Sequence, residues 1–302
     1  MESLSGLKVV MTPKAVVTAA TGGIGLHTAL GLTRAGYAVT VVGRNPERGA
    51  QAVEKINAEA GEPARFLQAD LASLDQVRAL AATIAAEGEL DLLVNNVGAM
   101  YPDHTELDGV EATFVVNHLS PYLLTELLLP VITRRIVNVT SSAVIVAKKT
   151  FDTVEPPGGY YGFHWYGRAK LANLTYTLDL AQRLRARGSG ITVLAADPGG
   201  ADTDMTDGSS RTPQIVSPAL RLFWPLVLRT FQRATSRPAA LAAQPSLRAA
   251  TDDTLPTGTV IGRHSTPVTP TKTATDPRTV HAVRALSEKH APLHRVTDEV
   301  SN

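Results

Sequence analysis

Six short apolar runs, separated by stretches with helical periodicity, constrain the fold of this chain more than any single motif. The runs are Ala15–Thr18, Ala38–Val42, Ala64–Gln68, Leu90–Val94, Arg135–Thr140 and Ile191–Ala195. Strands with one wet face alternate apolar and polar residues, whereas near-continuous apolar runs indicate strands covered on both faces. Helical stretches fill the intervals. Gly25–Ala35 is closed by Gly36, and Pro46–Ala60 carries proline in its first turn and Gly61 beyond its end. Ser73–Ala86 has Ser73 as N-cap with Gln76 at the capping-box position, Leu107–Leu129 is a long helical region, and Phe163–Arg187 is closed by Gly188. Strand then helix, repeated with short joins, predicts an α/β fold. It is a doubly wound (Rossmann) parallel sheet of about seven strands with helices on both faces, in a single domain over 1–302.

The rhythm stops after Pro198. Residues 200–213 are small and polar, and Leu220–Phe231 is apolar but interrupted by Arg221, Pro225 and Arg229. Arg237–Ala250 reads as a helix, Gly258–Gly262 as a last strand, and Pro277–Lys289 as a final helix within an irregular extension over 264–302 rich in Thr and Pro. A core over 14–203 and a substrate loop or lid over 200–236 are expected. No apolar stretch is long enough to span a bilayer, so no transmembrane segment is expected.

Composition removes several classes. The net charge of +1 gives no reason to expect nucleic acid as a partner. The chain has no cysteine, which excludes disulfides, thiolate metal sites and cysteine nucleophiles. Met1–Pro13 lacks the basic and apolar regions of a signal peptide, and a cytoplasmic location is expected. His290 and His294 are spaced like ligands, but Pro292 breaks the helix that would align them, and no metal is expected.

The join of the first strand and helix reads Thr18-Ala19-Ala20-Thr21-Gly22-Gly23-Ile24-Gly25. Glycines there let the backbone approach a pyrophosphate at a helix N-terminus. An acidic residue after the second strand would bind a ribose 2′-hydroxyl, but here Gly43-Arg44 follows. Arg44 suits a 2′-phosphate, so NADP(H) is favoured and NAD(H) stays possible. Further on, His164-Trp165-Tyr166-Gly167-Arg168-Ala169-Lys170 places a Tyr and a Lys on one helical face. A neighbouring ammonium favours the phenolate, which makes Tyr166 a candidate proton donor or acceptor.

With these motifs the chain resembles the short-chain dehydrogenase/reductase family, closely over Lys14–Thr203, and most of all its retinol-dehydrogenase-like branch. Tyr166-Gly167-Arg168-Ala169-Lys170-Leu171-Ala172-Asn173 and Val137-Asn138-Val139-Thr140-Ser141-Ser142 carry the similarity. The resemblance implies a catalytic set of Asn117, Ser141, Tyr166 and Lys170. It implies cofactor contacts from Thr18, Ala19, Thr21, Gly22, Gly23, Ile24 and Gly25, then Arg44, Asp70 and Leu71. Asn95, Val97, Gly98, Lys170, Pro198, Gly199 and Thr203 complete the set. Two positions depart from the family pattern. Ala19 replaces its first glycine, a change that negative φ at this residue would accommodate, and Val97 replaces the alanine of its Asn-Asn-Ala-Gly motif. Strand alternation favours Ser141 over Ser142. The family's oligomers imply a dimer or tetramer.

The implied reaction interconverts a ketone or aldehyde and an alcohol. Ser141 would bind the carbonyl oxygen, Tyr166 would protonate it, Lys170 would bind the nicotinamide ribose and lower the Tyr166 pKa, and Asn117 would hold a relay water. Non-redox chemistry with bound nucleotide, or nucleotide binding without turnover, are the rival readings. Aromatic residues gather between Ser141 and Tyr166 and again after Gly199. Tyr160, Trp165, Met205 and Trp224 are the candidate contacts to a hydrophobic small molecule, with lid packing as the equal alternative.

Overall fold

The computed structural model describes residues 12–59, 61–155, 158–200, 215–223, 229 and 237–294. The first half alternates β1 (Lys14–Thr18), α1 (Gly23–Arg34), β2 (Ala38–Gly43), α2 (Pro46–Asn57), β3 (Arg65–Gln68), α3 (Leu74–Ala85) and β4 (Leu90–Asn95). A hairpin, β5 (Glu106–Leu107) and β6 (Val110–Glu111), precedes α4 (Ala112–Phe114), a π-helical turn (Val115–Leu119) and α5 (Ser120–Leu128). Next come β7 (Ile132–Val139), a 3₁₀ turn (Ser142–Val146), α6 (Gly162–Ala186) and β8 (Thr192–Ala196). The remainder holds α7 (Pro218–Arg221), α8 (Ala239–Ala242), α9 (Gln244–Thr251), β9 (Val260–Ile261), β10 (Pro267–Val268), α10 (Lys272–Thr275) and α11 (Pro277–His290).

The sheet runs β10-β9-β8-β7-β4-β1-β2-β3. All neighbours are parallel except β10, which pairs antiparallel to β9 through Pro267↔Ile261 and Val268↔Val260. An eighth, edge strand therefore replaces part of the loose excursion expected after residue 264, and proline is tolerated there because an edge needs fewer donors. Strand order reverses between β1 and β4, the crevice where ligands of such sheets bind. One face of the sheet packs Val16, Leu93 and Ile136 against α3, α5 and α6, and the other packs Val17, Leu92 and Val137 against α1 and α9. Buried on both faces, the strands need the unbroken apolar runs seen in the sequence.

Two expected helices are broken: Arg237–Ala250 divides into α8 and α9 at Ala243. Leu107–Leu129 is not a single helix. Asp108 (φ 50°) and Gly109 (φ 75°) turn the β5–β6 hairpin, and Asp-Gly with both φ positive suits a two-residue hairpin turn. Glu111 then caps α4, its fully buried carboxylate accepting from Thr113 N at 2.7 Å and Phe114 N at 2.9 Å. Helix α11 closes the far side. His118 Nε2 lies 2.7 Å from Ser287 Oγ, and burial pushes this histidine down to about 3, so it stays neutral.

Candidate active site

At the β1–α1 join, Thr18 Oγ1 accepts from the N–H groups of Asn96 at 2.9 Å and Val97 at 3.3 Å. Asn96 Nδ2 returns bonds to the carbonyls of Thr18 and Ala19. These bonds lock the exit of β4 to the exit of β1. A Cβ on Gly25 would stand 2.5 Å from Asn96 Nδ2 and 2.6 Å from Ala19 O, so only glycine lets α1 approach this closely. No side chain caps α1 at Gly22, which leaves its first-turn N–H groups available. Thr21 packs against Gly43 at the end of β2, while Gly23 and Ile24 are half-buried in the first turn.

Ala19 overturns an expectation. Its φ is +50°, not negative. A left-handed conformation costs an L-residue about 1–2 kcal/mol, a penalty that glycine avoids. Ala19→Gly is therefore expected to stabilise the protein by about 1 kcal/mol, raising Tm by roughly 2–4 °C. A thermal melt checks this, and an unchanged or lower Tm refutes it.

Arg44 is exposed just beyond β2, with its carbonyl accepting from Gln68 Nε2 at 3.2 Å. A second guanidinium, passed over in the sequence, stands over the turn: Arg48 Nη2 lies 2.9 Å from the position a Gly22 Cβ would take. Asp70 ends the β3 exit half-buried, with Oδ1 accepting from Ala72 N, and Leu71 beside it is buried. Gln76 Oε1 accepts from Asp70 N at 2.9 Å, while Ser73 caps α3 as expected by accepting from Gln76 N. Tyr101, also unread from sequence, feels both the Arg44 and Asp70 charges, and burial raises its pKa.

Across the crevice, Lys170 Nζ donates to Val97 O at 2.8 Å and Val139 O at 2.9 Å, tying the ends of neighbouring strands β4 and β7. Val97 absorbs its extra bulk in the core, 7% exposed, while Gly98 is exposed. Asn95 Nδ2 donates to Thr125 Oγ1 and Asn138 Oδ1, both at 2.8 Å, and so buttresses β4 rather than facing the crevice. Ser141 hydrogen-bonds Tyr166 and also accepts from Ala143 N at 3.2 Å as cap of the 3₁₀ turn. The reason Ser142 is excluded is therefore not strand alternation, since β7 has ended. Ser142 opens the 3₁₀ turn and is exposed.

Tyr166 is held at about 12, first by burial and then by the Asp197 charge, with the Ser141 bond opposing both. The lowering expected from Lys170 is not the governing effect. The ammonium sits 5.9 Å from the Tyr166 ring centroid, and burial brings Lys170 itself down to about 7. Asp197, between β8 and Pro198, escaped the sequence reading. Its carboxylate accepts from Gly199 N at 2.9 Å, and Pro198 O accepts from Arg237 Nη1 at 3.3 Å. Asn117 lies in the π-helical turn, fixed by Ala99, whose N–H donates to its Oδ1 at 3.1 Å and whose carbonyl accepts from its Nδ2 at 2.7 Å. Its main-chain carbonyl accepts from Asn173 Nδ2 at 3.2 Å. A π turn inside a helix displaces carbonyls from their usual partners and recurs at functional sites.

The aromatic candidates divide. The Tyr160 and Trp165 rings pack with centroids 5.1 Å apart, tilted by 39°. Tyr160 OH donates to Tyr101 O at 2.8 Å, and Trp165 is 4% exposed. Trp165 thus serves packing beside the 147–155 segment, while Tyr160 is half-buried. Thr203, Met205 and Trp224 lie outside the described residues. Arg168 fastens the same segment. Its guanidinium donates to the carbonyls of Thr150, Thr153 and Val154 at 2.8–3.0 Å, between the rings of Phe114 and Phe151. Ligand atoms of His104, Glu106 and Glu155 come within 4.8 Å of one another, at a solvated part of the surface.

A model of the short chain dehydrogenase family matches residues 13–214. The chain is 40% identical to a polyprenol dehydrogenase of Mus musculus over 63% of this chain and 60% of that one. It is 36% identical to retinol dehydrogenase 12 of Mus musculus over 75% and 72% respectively. The chain thus spans about three-fifths of the length of the first relative. Among solved structures, an uncharacterized protein from Mycobacterium paratuberculosis superposes with TM-score 0.74 at 29% identity, covering 92% and 93% of the two chains. A short chain dehydrogenase from Burkholderia cenocepacia J2315 in complex with NADP superposes with TM-score 0.62 at 26% identity, covering 83% and 96%.

Proposed function

The chain belongs to the short chain dehydrogenase family, and on that premise we propose that it is an NADP(H)-dependent oxidoreductase reducing a ketone or aldehyde on a hydrophobic small molecule. One observation carries the proposal: Tyr166, Ser141 and Lys170 converge at the ends of β4 and β7, beside the crevice where strand order reverses. The glycine cradle at Gly22–Gly25, the uncapped α1 and the guanidinium groups of Arg44 and Arg48 suit a phosphorylated dinucleotide. When bound, NADP(H) supplies or accepts the hydride.

The chain's own residues do the rest. A phenol held at about 12 keeps its proton through neutral pH, so Tyr166 is set to donate to a carbonyl oxygen as charge builds there. Ser141, bonded to that phenol, holds the same oxygen. In its ammonium form, held below about 7, Lys170 donates to two carbonyls and has one donor left for the nicotinamide ribose. Asn117, whose main-chain carbonyl already accepts from Asn173 Nδ2, would hold with its second lone pair a water that relays protons behind Lys170. A protonated Tyr166 is the form that carbonyl reduction uses.

Absorbance loss at the nicotinamide band, followed over a panel of apolar aldehydes and ketones, tests the reading. No turnover with either nucleotide across the panel refutes it. Product without absorbance change selects the non-redox reading. Arg44→Ala is expected to raise the KM for NADPH by about 10–100-fold, the worth of one or two charge-assisted bonds, and to leave that for NADH unchanged. Equal losses with both nucleotides would remove Arg44 from the 2′-phosphate.

A further inference from the structure

We propose that His118 and Ser287 form a buried latch through which α11 fixes the π-helical turn, which makes both of them positioning residues for the Asn117 carbonyl. The role rests on the reaction assigned above. His118 follows Asn117 in the Val115–Leu119 turn, so neither backbone moves without the other. Its ring is fully buried, and Ser287 is 1% exposed. His118 Nε2 and Ser287 Oγ stand 2.7 Å apart across 169 residues of chain. Ser287 Oγ donates its single proton to Val283 O at 2.7 Å, so toward the ring it can only accept. The proton of neutral His118 therefore sits on Nε2. Nδ1 has no hydrogen-bond partner among the described residues, which leaves Ser287 as the polar anchor of the ring there. Phe114, Tyr122 and Tyr176 pack around it, with ring centroids 4.9, 6.3 and 6.4 Å away. Burial keeps the ring neutral down to about 3, so the latch holds at any working pH.

A π turn gives up the usual helical bonding, so tertiary partners decide whether it persists. Among the described residues, three sets of long-range bonds hold this one. The Asn117 side chain exchanges bonds with Ala99, and its carbonyl accepts from Asn173 Nδ2 on α6. The third is the latch, and it arrives from α11, which carries none of the residues assigned to the site. Helix α11 is itself fastened to α6. Arg284 Nη2 donates to Asp179 Oδ1 at 2.6 Å, and Val283 and Leu286 are buried in the same core as Leu180 and Leu184. Asp276 caps the start of α11 by accepting from Arg278 N at 2.9 Å. Tyr166 and Lys170 lie on α6, and Asn117 lies on the turn. A helix bonded to both sets the separation between the Asn117 carbonyl and Lys170, where a relay water has to fit. Small displacements matter there, because a misplacement of about 1 Å can cost roughly a hundredfold in rate.

Ser287→Ala, which removes one buried oxygen and keeps the helix, tests the latch. Its kcat for NADPH-dependent reduction is expected to fall about 10–100-fold, with the Kd for NADPH within about twofold of wild type. Amide hydrogen exchange over 115–119, measured without substrate, is expected to quicken. His118→Leu is expected to show the same split of kcat against Kd. The double variant is expected to be no slower than His118→Leu alone, since the two residues act as one unit. His118→Gln, whose Nε2–H can still reach Ser287, is expected to keep most of the wild-type rate. Multiplicative losses in the double variant, unchanged exchange over 115–119, or wild-type kcat in Ser287→Ala would each overturn the proposal while the reaction stands. A lower Tm with kcat intact also overturns it, because the bond is then merely structural. A wild type inactive over the whole carbonyl panel refutes the reaction and the positioning role together, so the two failures read differently.

Discussion

Tyr166→Phe is expected to lower NADPH-dependent kcat by about 10²–10⁴-fold, the usual worth of a general acid, and to leave nucleotide affinity nearly unchanged. The substitution removes one oxygen from a buried ring. The helix that carries it keeps its packing, since Trp165, Ala169 and Ala172 beside it are buried independently. Lys170 keeps both carbonyl bonds, to Val97 and Val139. Only the proton that would neutralise the developing oxyanion is lost, together with the bond to Ser141. Two losses are expected as pH rises: nucleotide affinity weakens through about 7 as Lys170 loses its ammonium proton, and the chemical step fails toward the Tyr166 value of about 12, because reduction needs the phenol protonated. Steady-state rates and a nucleotide titration on the same variant check this, and unimpaired kcat would remove Tyr166 from the chemistry.

Arg168→Met is expected to destabilise the fold by about 3–5 kcal/mol, because three carbonyls lose their donor at once. At 1% exposure the guanidinium is nearly withdrawn from water, and burial lowers its pKa to about 10, with Glu111 and Glu155 opposing that shift. Methionine fills part of the volume between Phe114 and Phe151 but cannot donate. Thr150, Thr153 and Val154 then need water, and the 147–155 segment is expected to open first. Calorimetry should show a Tm lower by roughly 10 °C, and proteolysis should cut within that segment. Arg168→Lys is not expected to rescue, since one ammonium cannot follow three donors set in a planar fork. A Tm within a degree or so of wild type would show that the carbonyls find other partners.

The strands, most helices and the glycine turn were legible because their signals are local. Apolar runs mark buried strands, glycines mark helix ends, and Tyr166 and Lys170 share a helical face by spacing alone. The misread stretch from Leu107 shows where that stops. Asp108-Gly109 carried a hairpin signal that helical periodicity around it outweighed. The π turn at Asn117 had no local signal, because it is stabilised by Ala99 from another segment. Ala19 was legible as a departure from the glycine pattern, but its positive φ depends on how β1, β4 and α1 meet.

Amino-acid order alone therefore settled a doubly wound sheet, a phosphate-suited turn followed by arginine, and a Tyr–Lys pair on one helix face. Periodicity and glycine placement act over a few residues and survive without tertiary context. The protonation of that pair was settled only by the folded surroundings. Burial holds Tyr166 near 12 and Lys170 near 7, and Asp197 approaches from a distant strand end. Desolvation and charge depend on everything within a few ångströms in space, and most of those neighbours are far away along the chain.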